Sequence, residues 1–398
     1  DVCVVGAGLT GLSAALHLAE AGRRVCVVEA NGVGAGASGR NGGQLCTGLR
    51  LDQDEIETTL GRTDARRLWD LAEAAKALVH DLARRHDIAY GYRPGILHVA
   101  HRRRYVDGYR RYAAWLQDAY GYDAIRFVDR SELAGLLAAP GYFGGTLDLG
   151  AGHLHVLDFV RGLARAALAA GVAIFEGSPA VAFRAERAGR VQLQTATGRV
   201  MAEHLILATN GQLDRLAPKA ASFVMPINSL VVTTAPLGAE RAAALIPSDA
   251  AVADSRFVVN YFRRTADHRL LFGGGETYGY AMPSDIPGFV RPRLERVFPQ
   301  LRGVALDYGW GGAVAITRSR LPHLQRLAPT VWTAGGYSGQ GVALATFAGK
   351  LLADALLGAG DGFDAFARLP QRRFPGGRAA RAPLLALAMT WYALRDRL

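Results

Sequence analysis

Cysteine is scarce in this chain, with three in 398 residues. Cys3 and Cys26 fall inside apolar runs and Cys46 stands alone, a pattern that excludes both a disulfide framework and a Cys/His metal site. The expected setting is therefore a reducing cytoplasm, with no metal. Lysine is nearly missing as well. Only Lys76, Lys219 and Lys350 are found among 46 basic residues, so the net charge of +11 is carried by arginines scattered along the chain. Short clusters occur at Arg102-Arg103-Arg104 and Arg372-Arg373, but scattered arginine does not form a docking stripe, and no nucleic-acid partner is expected. The apolar run Pro383 to Leu394 is about twelve residues long, short of the ~20 that a membrane span needs. Internal repeats and low-complexity tracts are also absent, and the lack of a Ser/His/Asp constellation or Cys/His cluster weakens hydrolase and metalloenzyme readings.

Glycine, by contrast, is abundant, and it clusters in three widely separated segments. In the first, Gly6, Gly8 and Gly11 follow the apolar run Val2-Cys3-Val4-Val5 and open a helical stretch from Leu12 to Ala21. This strand-turn-helix context, with Leu9 and Thr10 inside the turn, brings backbone N–H groups to a pyrophosphate at a helix N-terminus. The next strand, 24–28, ends in Glu29, eighteen positions beyond Gly11, where a carboxylate can accept hydrogen bonds from ribose hydroxyls. Ala30 and Asn31 bring no positive charge for a 2′-phosphate, so NADP is not expected. The chain binds a dinucleotide on this reading, the alternative being a tight turn without a ligand.

The second segment, 34–44, holds Ser38, Arg40, Asn41, Gly42, Gly43 and Gln44. It reads as a non-packing loop rich in free N–H donors near an anion, against the plainer reading of a flexible linker. The third is a strand at 330–334 running into Gly335-Gly336-Tyr337-Ser338-Gly339-Gln340-Gly341, then a helix from about Val342 to Leu357. That helix N-terminus would offer N–H groups and its positive dipole end to the pyrimidine edge of a reduced flavin.

Between these segments, strands are expected at 95–100, 145–148, 172–175, 180–184, 191–195 and 204–208, and helices at 64–84, 104–119 and 157–170. Residues 226 to about 308 change to β-rich pieces, at 228–234, 257–262 and 270–274, with a helix near 290–298. A fold of α/β class follows, with an α+β substrate domain: a Rossmann-like dinucleotide domain from 1–85, 150–225 and 308–365, a discontinuous, mostly antiparallel substrate domain from 86–149 and 226–307, and a C-terminal helical segment at 366–398.

VVGAGLTGLSAALHLAEAG, GASGRNGGQ and GYSGQGV resemble the amine-oxidising FAD proteins of the D-amino-acid oxidase superfamily, and within it the gamma-glutamylputrescine oxidases. The resemblance continues through 151–167, 258–275, 310–324 and 363–383, and so covers nearly the whole chain. It implies FAD, held non-covalently, contacted also by Val181, Asn210, Gly211, Gly336, Tyr337, Gly339, Gln340, Gly341 and Val342. It also implies oxidation of an amine to an imine that hydrolyses to an aldehyde, with oxygen or another acceptor taking the electrons, and a natural start upstream of Asp1. Gly311-Gly312-Ala313, Asn260 and His155-Val156 depart from the subfamily pattern in the region that should choose the amine, and Gln340 stands where relatives carry histidine.

A lysine that would hold an amino-acid carboxylate is replaced by Ala343, and no cysteine beyond Cys46 is present to tether a flavin. A sarcosine- or glycine-type oxidase loses weight accordingly. Tyr261, Trp310 and Gln340 are the expected groups at the flavin and substrate face, with Phe262 a further aromatic there and His153 and His155 read as structural. A tRNA-modifying flavoenzyme remains an alternative, as does a flavin reductase, although Gly273-Gly274-Gly275 lacks the spacing for a second dinucleotide.

Overall fold

The computed structural model describes residues 1–186, 189–213, 216–278 and 281–375. The expected C-terminal helix beyond 375, including 383–394, lies outside them. Two large sheets organise the rest, and the glycine segments lie where they meet.

The first sheet has six strands in the order His323–Ala328, Val331–Gly335, His204–Leu207, Val2–Val5, Val25–Val28, Ala173–Phe175. All neighbours run parallel except the first pair. The central strand Val2–Val5 is buried along its whole length, as expected of a parallel strand covered on both faces. On one face lie the helices Leu9–Glu20, Val156–Ala169 and Gly341–Leu356. The first and last of these approach so closely that a Cβ on Gly349 would stand 2.4 Å from the carbonyl oxygen of Thr10. The other face is covered by a three-stranded antiparallel sheet, Ala180–Ala185, Val191–Thr195 and Arg199–Ala202, whose Val191 and Leu193 pack with Cys3, Val5 and Leu205.

The second sheet has nine strands. Its path is Leu306–Thr317, Val224–Thr234, Leu270–Tyr278, Tyr261–Arg264, Ala251–Asp254, Arg93–Val99, Gly145–His153, Gln44–Leu45, and Ile125–Val128 pairs beside Gly145–His153. Every pairing is antiparallel except Ala251–Asp254 with Arg93–Val99. Side chains alternate along Tyr261–Arg264. Phe262 turns outward into a core with Phe272 and Phe298, its ring centroid 5.6 Å from that of Phe272, while Tyr261 and Arg263 turn toward the glycine segments.

Three local expectations are corrected. The segment 34–44 contains a one-turn helix, Ala37–Arg40, so it is partly ordered and no bare loop. The strand expected at 257–262 is shifted to Tyr261–Arg264, because the buried carboxylate of Asp254 draws 254–260 into a turn by accepting from the N–H groups of Arg256 and Asn260 at 3.2 and 3.0 Å. The glycine-rich stretch around 310 is the middle of a twelve-residue strand, Leu306–Thr317, that belongs to the second sheet. Glycine suits that position because a Cβ on Gly312 would sit 3.3 Å from Cβ of Arg40. The strand edge thereby comes up against the one-turn helix. Among the described residues no single helix is long and apolar enough to cross a membrane.

Candidate functional site

A cavity of about 630 Å³ runs between the two sheets, within the ~300–1,000 Å³ range of ligand sites. At one end it is lined by Gly8, Leu9, Thr10, Ser38, Arg40 and Asn41, and further in by Gly42, Gln44, Asn210 and the turn 337–342. All three glycine segments therefore reach one space.

The first turn is built for close approach. Gly6 holds φ +106°, where a Cβ would also meet the carbonyl oxygen of Ala208 at 2.8 Å, and a Cβ on Gly11 would lie 1.9 Å from the carbonyl oxygen of Gly6. The Ser38 hydroxyl accepts from the Leu9 N–H at 3.0 Å, tying the second segment to the first. Glu29 stands at the end of its strand as expected and accepts from the N–H groups of Ala7 and Asn31 at 2.8 and 2.9 Å. Its carboxylate is thus held in place, with lone pairs left for a ribose. Asn41 braces its own turn, donating to the carbonyls of Ala37 and Ser38 and accepting from the Gly43 N–H.

The third segment is locked to both partners. The Tyr337 hydroxyl meets that of Thr10 at 2.7 Å, Asn210 accepts from the Gly336 N–H at 3.0 Å, and Ser338 donates its N–H to the carbonyl of Ala315. Asn210 and Ser338 hold φ values of +49° and +54°, the kind of strain that collects at functional sites. Gln340 lines the cavity at the N-cap position of the helix Gly341–Leu356 without capping it through its side chain, and its buried Oε1 has no hydrogen-bond partner. An orphaned acceptor beside a helix N-terminus fits the pyrimidine edge of a flavin, which offers an N–H between two carbonyls.

Not every expected residue lines the cavity. Gly6, Gly11, Glu29, Ala30, Gly43, Gly211 and Gly336 stand outside its lining and shape the turns that do. Val181 lies on Ala180–Ala185, half exposed at 48% and outside the lining. Trp310 is also outside it; its indole N–H donates to the carbonyl of Arg40 at 2.9 Å and so clasps the second segment to the second sheet. His153 and His155 are structural. The first donates its Nε2–H to the Asp249 carbonyl at 2.9 Å from a buried ring whose pKa burial pushes down to about 4, and the second caps Val156–Ala169.

Tyr261 lines the cavity. A Cβ on Gly42 would meet its ring at 2.7 Å, and its hydroxyl, pushed up to about 12 by burial, contacts that of Ser229 at 3.1 Å. Two residues on, Arg263 donates to the Gly42 carbonyl at 2.6 Å from a buried position that lowers its pKa to about 10. Beyond Tyr261 the cavity opens into a chamber that sequence reasoning misses, with Arg50, Tyr109, Tyr112, Asp148, Glu276 and Arg320 among its lining residues. Burial pushes the Glu276 carboxyl up to about 7 against the opposing pull of Arg320, Arg50 and Arg293. The available signal is a single acid directly after Gly273-Gly274-Gly275 on an otherwise uncharged strand.

A model of the family described as FAD dependent oxidoreductase, DAO, matches residues 1–355. The chain is 42% identical over 397 residues to the "Probable oxidoreductase OrdL" of Rhizobium meliloti (strain 1021), spanning 100% of this chain and 92% of that one. To the gamma-glutamylputrescine oxidoreductase of Escherichia coli (strain K12) it is 40% identical over 400 residues, spanning 100% and 93%. Among solved structures, the glycine oxidase from Geobacillus kaustophilus superposes with a TM-score of 0.74 at 22% identity, covering 89% of this chain and 93% of that one. At that identity the likeness is one of fold.

Proposed function

The chain belongs to the DAO family of FAD-dependent oxidoreductases, and on that premise we propose that it oxidises the C–N bond of a primary or secondary alkylamine, with γ-glutamylputrescine as the single best substrate. The observation that carries the reading is the continuity of one cavity, from the pyrophosphate turn through Tyr261 to a chamber that combines Tyr109, Tyr112, Asp148 and Glu276 with Arg50 and Arg320, aromatic and acidic groups suited to an organic cation beside arginines suited to a more distant carboxylate. Full-length identity of 40% to a gamma-glutamylputrescine oxidoreductase supports the choice of amine.

When bound, FAD supplies a two-electron acceptor for the hydrogen on the carbon next to nitrogen, converting R–CH2–NH2 to R–CH=NH. The chain's residues do the rest. The N–H groups of the first turn and Ser38 hold the pyrophosphate, Glu29 the ribose, and Gln340 with the amides of the 339–341 turn the pyrimidine edge. Tyr261 packs on Gly42 and closes the ring end from water. The imine hydrolyses to an aldehyde and ammonia, or a smaller amine, after release. Oxygen or another acceptor removes the electrons, no covalent tether holds the cofactor, and a cytoplasmic setting goes with this reading. A glycine- or sarcosine-type activity is disfavoured because Ala343, at the position expected to hold a carboxylate, is a buried helix residue outside the cavity lining.

Anaerobic mixing of the yellow holoprotein with γ-glutamylputrescine, putrescine, sarcosine and glycine tests the proposal. Fastest bleaching by γ-glutamylputrescine is the expected result. Bleaching by NADPH but by no amine overturns it in favour of a reductase.

A further inference from the structure

One carboxylate in the chamber has no place in cofactor binding. Glu276 sits on Leu270–Tyr278 directly across from Ser229 on Val224–Thr234, and cross-strand partners project from the same face of a sheet. The Ser229 hydroxyl in turn contacts the Tyr261 hydroxyl at 3.1 Å, and the Tyr261 ring rests against Gly42 of the second glycine segment. A short chain of contacts therefore runs from the expected ring position to Ser229, and Glu276 lies beside its end. All of these side chains line the same cavity.

The surroundings of Glu276 leave its charge uncompensated at contact range. The forces acting on it are burial and the longer-range fields of Arg320, Arg50 and Arg293, with no hydrogen bond to its carboxylate among them. Tyr261, on the neighbouring strand, also feels its charge. Each cation has other contacts or stands apart: Arg293 donates to the Phe289 carbonyl at 3.2 Å, Arg320 lies over the Phe257 ring at 5.7 Å, and Arg50 is exposed at the cavity wall. Glu276 is half-buried in the cavity wall, and a partly desolvated carboxylate without a direct partner costs stability and persists where a ligand completes it.

We propose that Glu276 is a catalytic residue that pairs with the ammonium of the substrate beside the flavin and accepts the proton that must leave that nitrogen before its C–H bond breaks. The balance is simple: R–CH2–NH3⁺ and the carboxylate become R–CH2–NH2 and the carboxylic acid, and the neutral amine is the form that is oxidised. The inference rests on the amine-oxidation reading above and narrows it. The reacting nitrogen must belong to an alkylamine with no carboxylate on the adjacent carbon, because an α-amino acid would set its own negative charge against Glu276. A carboxylate several bonds away is compatible with Arg50 and Arg320 in the same chamber.

Glu276→Gln and Glu276→Asp holoproteins test this against wild type. Three readouts are compared: FAD content, the perturbation of the flavin spectrum when a non-reducing alkylammonium binds, and anaerobic bleaching by γ-glutamylputrescine and putrescine between pH 6 and 9. If no amine bleaches wild type, the amine-oxidation reading itself fails. If wild type bleaches, E276Q should stay fully yellow, bind the alkylammonium roughly ten- to a hundredfold more weakly, as loss of a charged hydrogen bond predicts, and lose the acid limb of the bleaching rate. E276D should recover part of both. Unchanged alkylammonium affinity and an unchanged pH profile in an E276Q protein that is reduced normally would overturn the assignment, and so would glycine reducing wild type faster than the alkylamines.

Discussion

The two ends of the cavity are built on different plans. At the nucleotide end the geometry is set by backbone: tight turns, helix N-termini, and side chains such as Ser38, Asn41 and Asn210 that brace neighbouring main chain. Several of its side chains are already hydrogen-bonded to neighbouring main chain, while Gln340 Oε1, and Thr209 Oγ1 beside Asn210, are buried without a partner. In the chamber beyond Tyr261 the lining comes from side chains on several distant elements, and a carboxylate is left without a direct partner. The first plan suits a cofactor that is identical in every turnover, since preorganised donors cost no reorganisation on binding. The second suits a region that must discriminate, since its energy is released only when the correct cation enters.

Substitutions separate the two plans, and the largest effect falls on the nucleotide end. Gly8→Val should give protein that stays colourless with excess FAD, because even a Cβ there would stand 2.7 Å from Ser38 Oγ and the added methyls would fill the pyrophosphate space; absorbance near the flavin bands reads the outcome. Glu29→Ala comes next. It leaves the Ala7 and Asn31 N–H groups without their acceptor and removes the ribose contact, so FAD should bind roughly tenfold to a hundredfold more weakly by fluorescence titration. Full retained affinity would place the ribose elsewhere.

The chamber should respond in the opposite direction when stability is measured. Glu276 is raised from 4.5 to about 7 in the fold, so between those pH values the folded state holds a proton that the unfolded chain has lost. Stability is then lost as pH rises through that window, and the penalty is fully present above about 7. Thermal melts of ligand-free protein should therefore show Glu276→Gln more stable than wild type at pH 8, with the gap closing toward pH 4.5. A site residue whose removal stabilises the empty protein is the signature of the second plan. The smallest change is Trp310→Phe, which loses the single indole bond to the Arg40 carbonyl. About 1 kcal/mol of stability should go, with FAD affinity lowered slightly and amine selectivity unchanged.

The same division explains what could be read from the chain. The positions of Gly6, Gly8, Gly11 and Glu29 at a strand-turn-helix junction and a strand end are legible because they depend on local spacing and on the type of the flanking elements. Tyr261 and Phe262 show the limit of that approach: adjacent aromatics on a strand face opposite ways, and only the register assigns Tyr261 to the cavity and Phe262 to the stack with Phe272. Trp310 is recognised as near the site, yet its indole spends its one donor on a backbone carbonyl. Glu276 is missed because its meaning comes from Ser229 and Tyr261 on two other strands. The shifted strand at 261–264 has a similar cause, since a buried aspartate ordering the turn before it overrides local β-propensity.

The hydroxyl pair Thr10–Tyr337 joins residues 327 positions apart in the chain. During synthesis the first glycine turn leaves the ribosome early, but the turn that completes the opposite wall emerges only after most of the polypeptide has been made. Flavin capture is therefore a late event in the life of each molecule. Premature termination before the third glycine segment would leave a product with an intact fingerprint and no closed pocket to hold the coenzyme.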